Sequence, residues 1–201
     1  SLHSIEYSRE NIDLLESQDI GSAIVIQGDA HTTPYEDSSF DFILALAMVY
    51  YLELPRFLAE VSRLLDADGE LFFCTSNKDV PGFCPAPNTI RYYSVPQLAE
   101  ELARMGFDAD FYGAFPKDNR SAPMRYFLAW VKNIVKSIFE LTNWGKVVWS
   151  KLRIKSLGEL APLPTKISKE NIKTTSRVAL NRRDPDLIHK VIYVVAKKRT
   201  Q

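Results

Sequence analysis

The feature that most limits the fold is an alternation of short β-branched or aromatic runs with amphipathic stretches across the first 112 residues. Chains with that rhythm build a sheet whose successive strands are joined by crossover helices, an α/β architecture. Residues 3–7 (HSIEY) read as a strand and residues 9–18 as a helix, with Ser8 as N-cap and Ile12 and Leu15 apolar. Ala23–Gln27 (AIVIQ) is a second strand, ending at Gly28-Asp29. Phe40–Leu46 (FDFILAL) is a third, so apolar that both of its faces are expected to be buried. A helix over 54–65 carries Phe57, Leu58, Val61, Leu64 and Leu65 at helical spacing, and the turn Asp68-Gly69 leads into a fourth strand, Glu70–Thr75. Residues 76–91, rich in Pro, Asn and Gly, form an irregular loop. Ser94 and Pro96 open a helix over 95–105 that closes at Gly106. Phe107–Tyr112 is a fifth strand, and Val191–Ala196 (VIYVVA) is the last.

Residues 116–186 break the alternation and read as a helical insertion within a single domain spanning 1–201. Met124, Phe127, Val131, Ile134, Ile138 and Leu141 share one helical face, and Trp144–Leu157 repeats the mixture with Lys146, Lys151, Arg153 and Lys155. A broad apolar helix with a basic edge suits three uses: a homodimer interface, a lid over an apolar acceptor, or contact with an anionic membrane surface. Charge divides along the chain. Residues 1–112 hold 6 Lys/Arg and 19 Asp/Glu, and residues 113–201 hold 19 and 6. Either the two halves neutralise each other across the fold or they face different neighbours. No nucleic-acid-binding module is recognisable in the basic half.

Other classes are set aside on simple grounds. The longest uncharged apolar run, Phe42 to Leu52, is too short for the roughly 20 residues of a membrane-spanning helix. No charged segment followed by an apolar one opens the chain, so a signal peptide is not expected. The first residue is Ser1 rather than Met, which reads as a tag remnant, a processed end or the edge of a longer protein. Cys74 and Cys84 have no histidine at ligand spacing, so neither a disulfide scaffold nor a zinc site is expected and a reducing cytoplasm fits.

Four segments, in order, carry a family pattern: Glu6 at a strand end in I-E-Y-S, then Gly28-Asp29-Ala30 after the next strand, then Pro34–Asp41 (PYEDSSFD), then the turn D-A-D-G-E after a helix ending R-L-L. Together with R-Y-Y-S-V-P-Q-L and M-G-F-D, they resemble the class I S-adenosylmethionine-dependent methyltransferases over residues 1–115 and 188–198. The resemblance implies a Rossmann-like, mostly parallel sheet with flanking helices and an antiparallel last strand. It implies S-adenosylmethionine as cofactor, with the binding loops outside the carboxyl ends of the strands. On that resemblance Glu6 accepts from the ribose hydroxyls and Tyr7 faces the adenine. Asp29 accepts from the adenine amino group, and the Ala30 N–H donates to a ring nitrogen. Leu46 and Ala47 border the methionine part. His31 and Tyr51, with its neighbour Tyr50, are the candidates for a base. No metal ligands are expected.

One family element is missing. No glycine-rich loop precedes Glu6, and the first, central strand that normally leads into it is not in the sequence. Its absence is expected to leave either a slot with unpaired strand edges or a sheet completed from elsewhere. Two functions follow: methyl transfer to a small-molecule or lipid- or glycan-linked acceptor, or a non-catalytic binding or scaffolding protein with a degenerate methyltransferase fold.

Overall fold

The computed structural model describes residues 1–17, 23–116 and 177–199. In chain order these are β1 (His3–Glu6), α1 (Arg9–Glu16), β2 (Ile24–Gln27), β3 (Phe40–Leu46), a 3₁₀ turn (Val49–Tyr51), α2 (Leu54–Leu64), β4 (Leu65–Ser76), α3 (Val95–Arg104), β5 (Phe107–Pro116), β6 (Val178–Ala179) and β7 (His189–Lys198). The expected helices at 122–141 and 144–157, and the dimer and membrane readings built on them, lie outside the described residues. Of the expected insertion, residue 116 belongs to β5 and residues 178–179 form the short strand β6, which pairs with β5 rather than being helical.

The strands form two sheets, one of order β1-β2 and one of order β3-β4-β7-β5-β6. The pairs β1–β2 and β3–β4 are parallel; β7 runs antiparallel to both β4 and β5, and β6 antiparallel to β5. The larger sheet is mixed, with the expected antiparallel last strand inserted between two that point the same way. Among the described residues, β1 bonds only to β2 and β3 only to β4. The sheet divides at the place where the resemblance lacks a strand.

Side-chain contacts nevertheless tie the two sheets together at both ends. At the strand starts, the rings of His3, Tyr35 and Phe40 meet edge-on at 5.0–5.6 Å, and His3 Nδ1 shares a 3.2 Å hydrogen bond with the Tyr35 hydroxyl. At the strand ends, the Glu53 N–H beyond β3 donates to His31 Nε2 beyond β2, at 3.0 Å. Starts touch starts and ends touch ends, so β1, β2 and β3 point the same way and their carboxyl ends share one edge.

The core lies on one face of the larger sheet. Leu71 and Phe73 of β4, Phe107 and Phe111 of β5, and Ile192 and Val194 of β7 alternate inward. They pack against Leu54, Leu58 and Val61 of α2 and Leu98 and Leu102 of α3. α3 starts with the expected cap: the Ser94 N–H donates to Gln97 Oε1 at 3.0 Å, the reciprocal bond of a capping box. Ser8 does not cap α1 with its side chain; its N–H donates to Glu6 Oε1 instead.

The expectation that β3 is buried on both faces is corrected. Ala45 is buried on the core side, but Phe42, Leu44 and Leu46 on the other are 49%, 53% and 56% exposed. No described element covers that face. The turn at Asp68-Gly69 lies inside β4 as a bulge, since the β3–β4 register jumps from Phe40↔Leu65 to Phe42↔Glu70. A Cβ on Gly69 would come within 2.9 Å of Leu65 Cδ2 and 3.0 Å of Asp66 Oδ1. Gly69→Ala is therefore expected to destabilise the protein by about 1–3 kcal/mol, the usual cost of overpacking, read as a lower chemical-denaturation midpoint.

Candidate functional site

Each loop of the site leaves the carboxyl end of a strand, where parallel packing forces the chain to turn over the sheet edge. Glu6 ends β1, half-buried. Its Oε1 accepts the Ser8 N–H at 2.9 Å, and its Oε2 has no hydrogen-bond partner among the described residues. Tyr7 follows, 79% exposed, so its ring is free to stack on a planar ligand. Glu6 pairs in register with Gln27 of β2, and the Gly28 N–H donates to the Glu6 carbonyl at 3.1 Å. That ladder brings Glu6 and Asp29 to the same edge.

Asp29 opens a tight turn in which the Thr32 N–H returns to the Asp29 carbonyl at 3.0 Å. Its Oδ1 accepts the His31 N–H at 2.9 Å and approaches His31 Nδ1 at 2.7 Å. The backbone bond from His31 is the main reason that the carboxyl lies below its ordinary range; burial opposes it, and the His31 side chain adds to it. Asp29 therefore stays ionised, with Oδ2 available as an acceptor. Ala30 is half-buried beside it.

His31 is committed at both nitrogens. Nε2 accepts from the Glu53 N–H, so the neutral ring carries its proton on Nδ1 and donates to Asp29. Its side chain is only 10% exposed. The geometry ties the loop after β2 to the start of α2 and aims Asp29.

At the end of β3, Leu46 is exposed, and Ala47 takes a left-handed φ of 54° while its N–H donates to the Cys74 carbonyl at 3.1 Å. A non-glycine residue in that region is uncommon and costs energy, so the strand end is held in a defined bend. Tyr50 then stacks on Tyr92 with centroids 4.7 Å apart and planes 23° apart, and Tyr51 tilts against Tyr50. Burial, followed by Tyr51, Tyr92 and Cys74, pushes the Tyr50 hydroxyl above its ordinary range. Tyr51 is the more exposed of the two. Together with Phe83, edge-on to Tyr92, these rings form an aromatic shelf between the β3 end and the loop after β4.

Sequence reasoning missed the charge network that holds the Asp29 loop from below. Glu60 of α2, 9% exposed, accepts the N–H and hydroxyl of Thr33 at 2.7 Å each and two bonds from the Arg63 guanidinium at 2.6 and 3.0 Å. Arg63 also donates to the Tyr35 carbonyl and to Asp37, both at 2.7 Å. The Arg63 hydrogen bonds, more than the Thr33 ones, lower the Glu60 carboxyl to about 2 and raise Arg63 in turn. The i, i+3 spacing of Glu60 and Arg63 was visible. Their reach to a loop 27 residues earlier was not.

The residues present fit the adenosine half of S-adenosylmethionine. Two acidic side chains each keep an oxygen without a partner among the described residues, and an exposed ring stands beside them. On the methionine side the described residues offer Leu46 and Ala47. No group of three or more His, Cys, Asp or Glu among the described residues could hold a metal ion. Among the same residues no helix is long and apolar enough to cross a membrane.

A family model described as a methyltransferase domain matches residues 1–73. No curated relative matches the sequence. Among solved structures, the chain is similar to an S-adenosylmethionine-dependent methyltransferase of Thermotoga maritima, described as a possible histamine N-methyltransferase, with TM-score 0.60, 14% identity, and coverage of 98% of this chain and 73% of that one. A methyltransferase of Archaeoglobus fulgidus gives TM-score 0.57, 13% identity, and coverage of 98% and 75%. The [4+2]-cyclase SpnF gives TM-score 0.55, 17% identity, and coverage of 99% and 67%. The chain has the fold of the class I S-adenosylmethionine-dependent methyltransferases, and its residues 1–73 are similar to a methyltransferase domain.

Proposed function

We propose that this protein binds S-adenosylmethionine across the ends of β1, β2 and β3 and transfers its methyl group to a small-molecule or lipid- or glycan-linked acceptor. The observation that carries the reading is the pair Glu6 and Asp29. They sit on adjacent parallel strand ends inside the family-matched segment, each with an oxygen to spare. Glu6 receives the ribose hydroxyls. Asp29, kept ionised and aimed by His31, receives the adenine amino group, and the Ala30 N–H serves a ring nitrogen. Tyr7 covers the adenine face, and Leu46 and Ala47 border the methionine part. The cofactor when bound supplies a methyl group already activated on a sulfonium, so the protein's work is alignment and exclusion of water. His31, with both nitrogens committed, is a positioning residue in this reading rather than a base. We place the protein in the cytoplasm, where the half-buried thiols of Cys74 and Cys84 stay reduced.

A second reading is a non-catalytic binding or scaffolding protein whose degenerate methyltransferase fold no longer holds the cofactor. Similarity to a [4+2]-cyclase favours it, since this fold hosts other work. Calorimetric titration with S-adenosylhomocysteine separates the two. It is run on the 201-residue chain and on the same chain with a strand and glycine loop supplied ahead of Ser1. Micromolar affinity in either supports the first reading; absence of binding in both ends it.

A further inference from the structure

A buried polar cluster on the same sheet edge takes no part in the cofactor site described above. β7 begins at His189, paired in register with Pro116 of β5, while Val191 pairs with Ser76 of β4. All three ends meet at the carboxyl edge. His189 Nδ1 lies 3.1 and 3.2 Å from the two oxygens of Asp186. That carboxylate also accepts the N–H groups of Ile188 at 3.2 Å and His189 at 3.0 Å, and the Asn77 amide at 3.1 Å. Asn77 Nδ2 further donates to the carbonyls of Asp186 and His189, at 2.7 and 2.8 Å, which locks the end of β4 to the start of β7.

This arrangement sets the chemistry of the ring. The Asp186 carboxylate accepts the proton carried on Nδ1, which leaves the lone pair of the neutral ring on Nε2. Nε2 has no hydrogen-bond partner among the described residues, and the side chain keeps 8% of its surface exposed. One face of the ring lies on Gly113, where a Cβ would overlap its Cγ and Nδ1, so the position is available only over glycine. Close by, Asp79 donates its N–H to Asn77 Oδ1, while its Oδ2 is buried with no partner among the described residues. Burial raises that carboxyl, Lys78 opposes the shift and Asp186 adds to it. The other two histidines differ: His31 uses both nitrogens, and His3 bonds Ser1 and Tyr35.

Distance agrees with a role in the reaction. From β3 across β4 to β7 is two strand spacings, about 10 Å. A sulfonium, its methyl, an attacking atom and a base in line span about 8 Å, given about 3 Å for attack and about 3 Å for proton transfer. We propose that His189, oriented by Asp186 and seated on Gly113, is the base that takes the proton of an O–H or N–H methyl acceptor. The acceptor atom bonds the methyl carbon as the carbon–sulfur bond breaks and the electron pair returns to sulfur. The acceptor's proton passes to Nε2 and from there to water. Asp186 and Asn77 are positioning residues. The proposal rests on the methyltransferase reading and deepens it by assigning the acceptor a proton-bearing nucleophile.

The test needs no knowledge of the acceptor. Protein with ¹⁵N-labelled histidine is loaded with S-adenosylmethionine carrying a ¹³C methyl group, at about pH 8, above the ordinary imidazole range. The expected result is an His189 ring protonated at Nδ1 and bare at Nε2, with a nuclear Overhauser contact between its ring proton and the cofactor methyl. H189N, which keeps an N–H for Asp186, should lose the contact while its affinity for S-adenosylhomocysteine changes by less than about twofold. The wild-type spectrum decides alone should that variant fail to fold. A proton on Nε2, or no contact while the cofactor is bound, overturns the proposal and leaves the methyltransferase reading standing. Failure of the cofactor to bind overturns both.

Discussion

Replacing Glu60 by alanine is expected to lower the unfolding free energy by about 3–5 kcal/mol, the range for removing one partner of a buried pair. The change strips Arg63 of two bonds, at 2.6 and 3.0 Å, and leaves the N–H and hydroxyl of Thr33 without an acceptor. Urea denaturation at neutral pH measures the loss, and a change within about 0.5 kcal/mol would show that the network contributes little. The milder Glu60→Gln tests the charge itself through pH. The carboxyl lies at about 2 in the folded protein against an ordinary 4.5. A lowered folded value means that the unfolded chain binds the proton more readily. The group's stabilisation is therefore complete above 4.5 and is lost as pH falls through the interval down to about 2. That interval corresponds to about 3 kcal/mol. The wild type should lose melting temperature across it more steeply than Glu60→Gln, and parallel curves would place the lowered carboxyl elsewhere. Because Thr33 and Arg63 fasten the loop that carries Asp29, cofactor affinity should fall in Glu60→Ala even where the protein is still folded.

Glu6→Ala and Asp29→Ala are each expected to weaken S-adenosylhomocysteine binding by about 1–3 kcal/mol, or roughly 5- to 150-fold, in whichever form of the chain binds it. The stability of both variants should stay close to wild type, since neither residue is buried. Asp29→Ala should show the larger effect of the two. It removes the acceptor and also releases His31, whose Nδ1 then has no carboxylate to donate to. Asp29→Asn keeps an oxygen for His31 and should fall between. Equal affinity in wild type, Glu6→Ala and Asp29→Ala would move the cofactor away from this edge and leave the second functional reading in place.

Much of the local structure was legible because it depends on neighbours in the chain. The cap at Ser94, the stop at Gly106, and the helical spacing from Phe57 to Leu64 each follow from residues within a turn or two. Boundaries were less legible. β4 begins at Leu65, before the Asp68-Gly69 turn, since a bulge lets a strand absorb a turn without ending. β7 begins at His189 rather than Val191, and those two added residues bring in the histidine that the acceptor proposal uses. Asp186 fell at the margin of the expected insertion; His189 stands three residues on, but Asn77, which ties the pair to β4, lies 109 residues away. His31 shows the opposite error. A loop histidine beside an acidic residue reads as a candidate base until its second nitrogen is found on the Glu53 N–H, 22 residues away.

The residue pattern by itself determined the class of fold and the order of Glu6, Gly28-Asp29-Ala30 and Pro34–Asp41 along the chain. All of these are readable from periodicity, turn residues and spacing along one chain. The tertiary structure alone decided which face of β3 is covered, how Glu60 and Arg63 hold the Asp29 loop, and which histidine keeps a nitrogen to offer. The physical reason is the same in each case. A strand's exposure depends on what packs over it, and a side chain's chemistry depends on which donors and acceptors already claim it. Those partners come from segments far apart in sequence, brought together only when the sheet assembles.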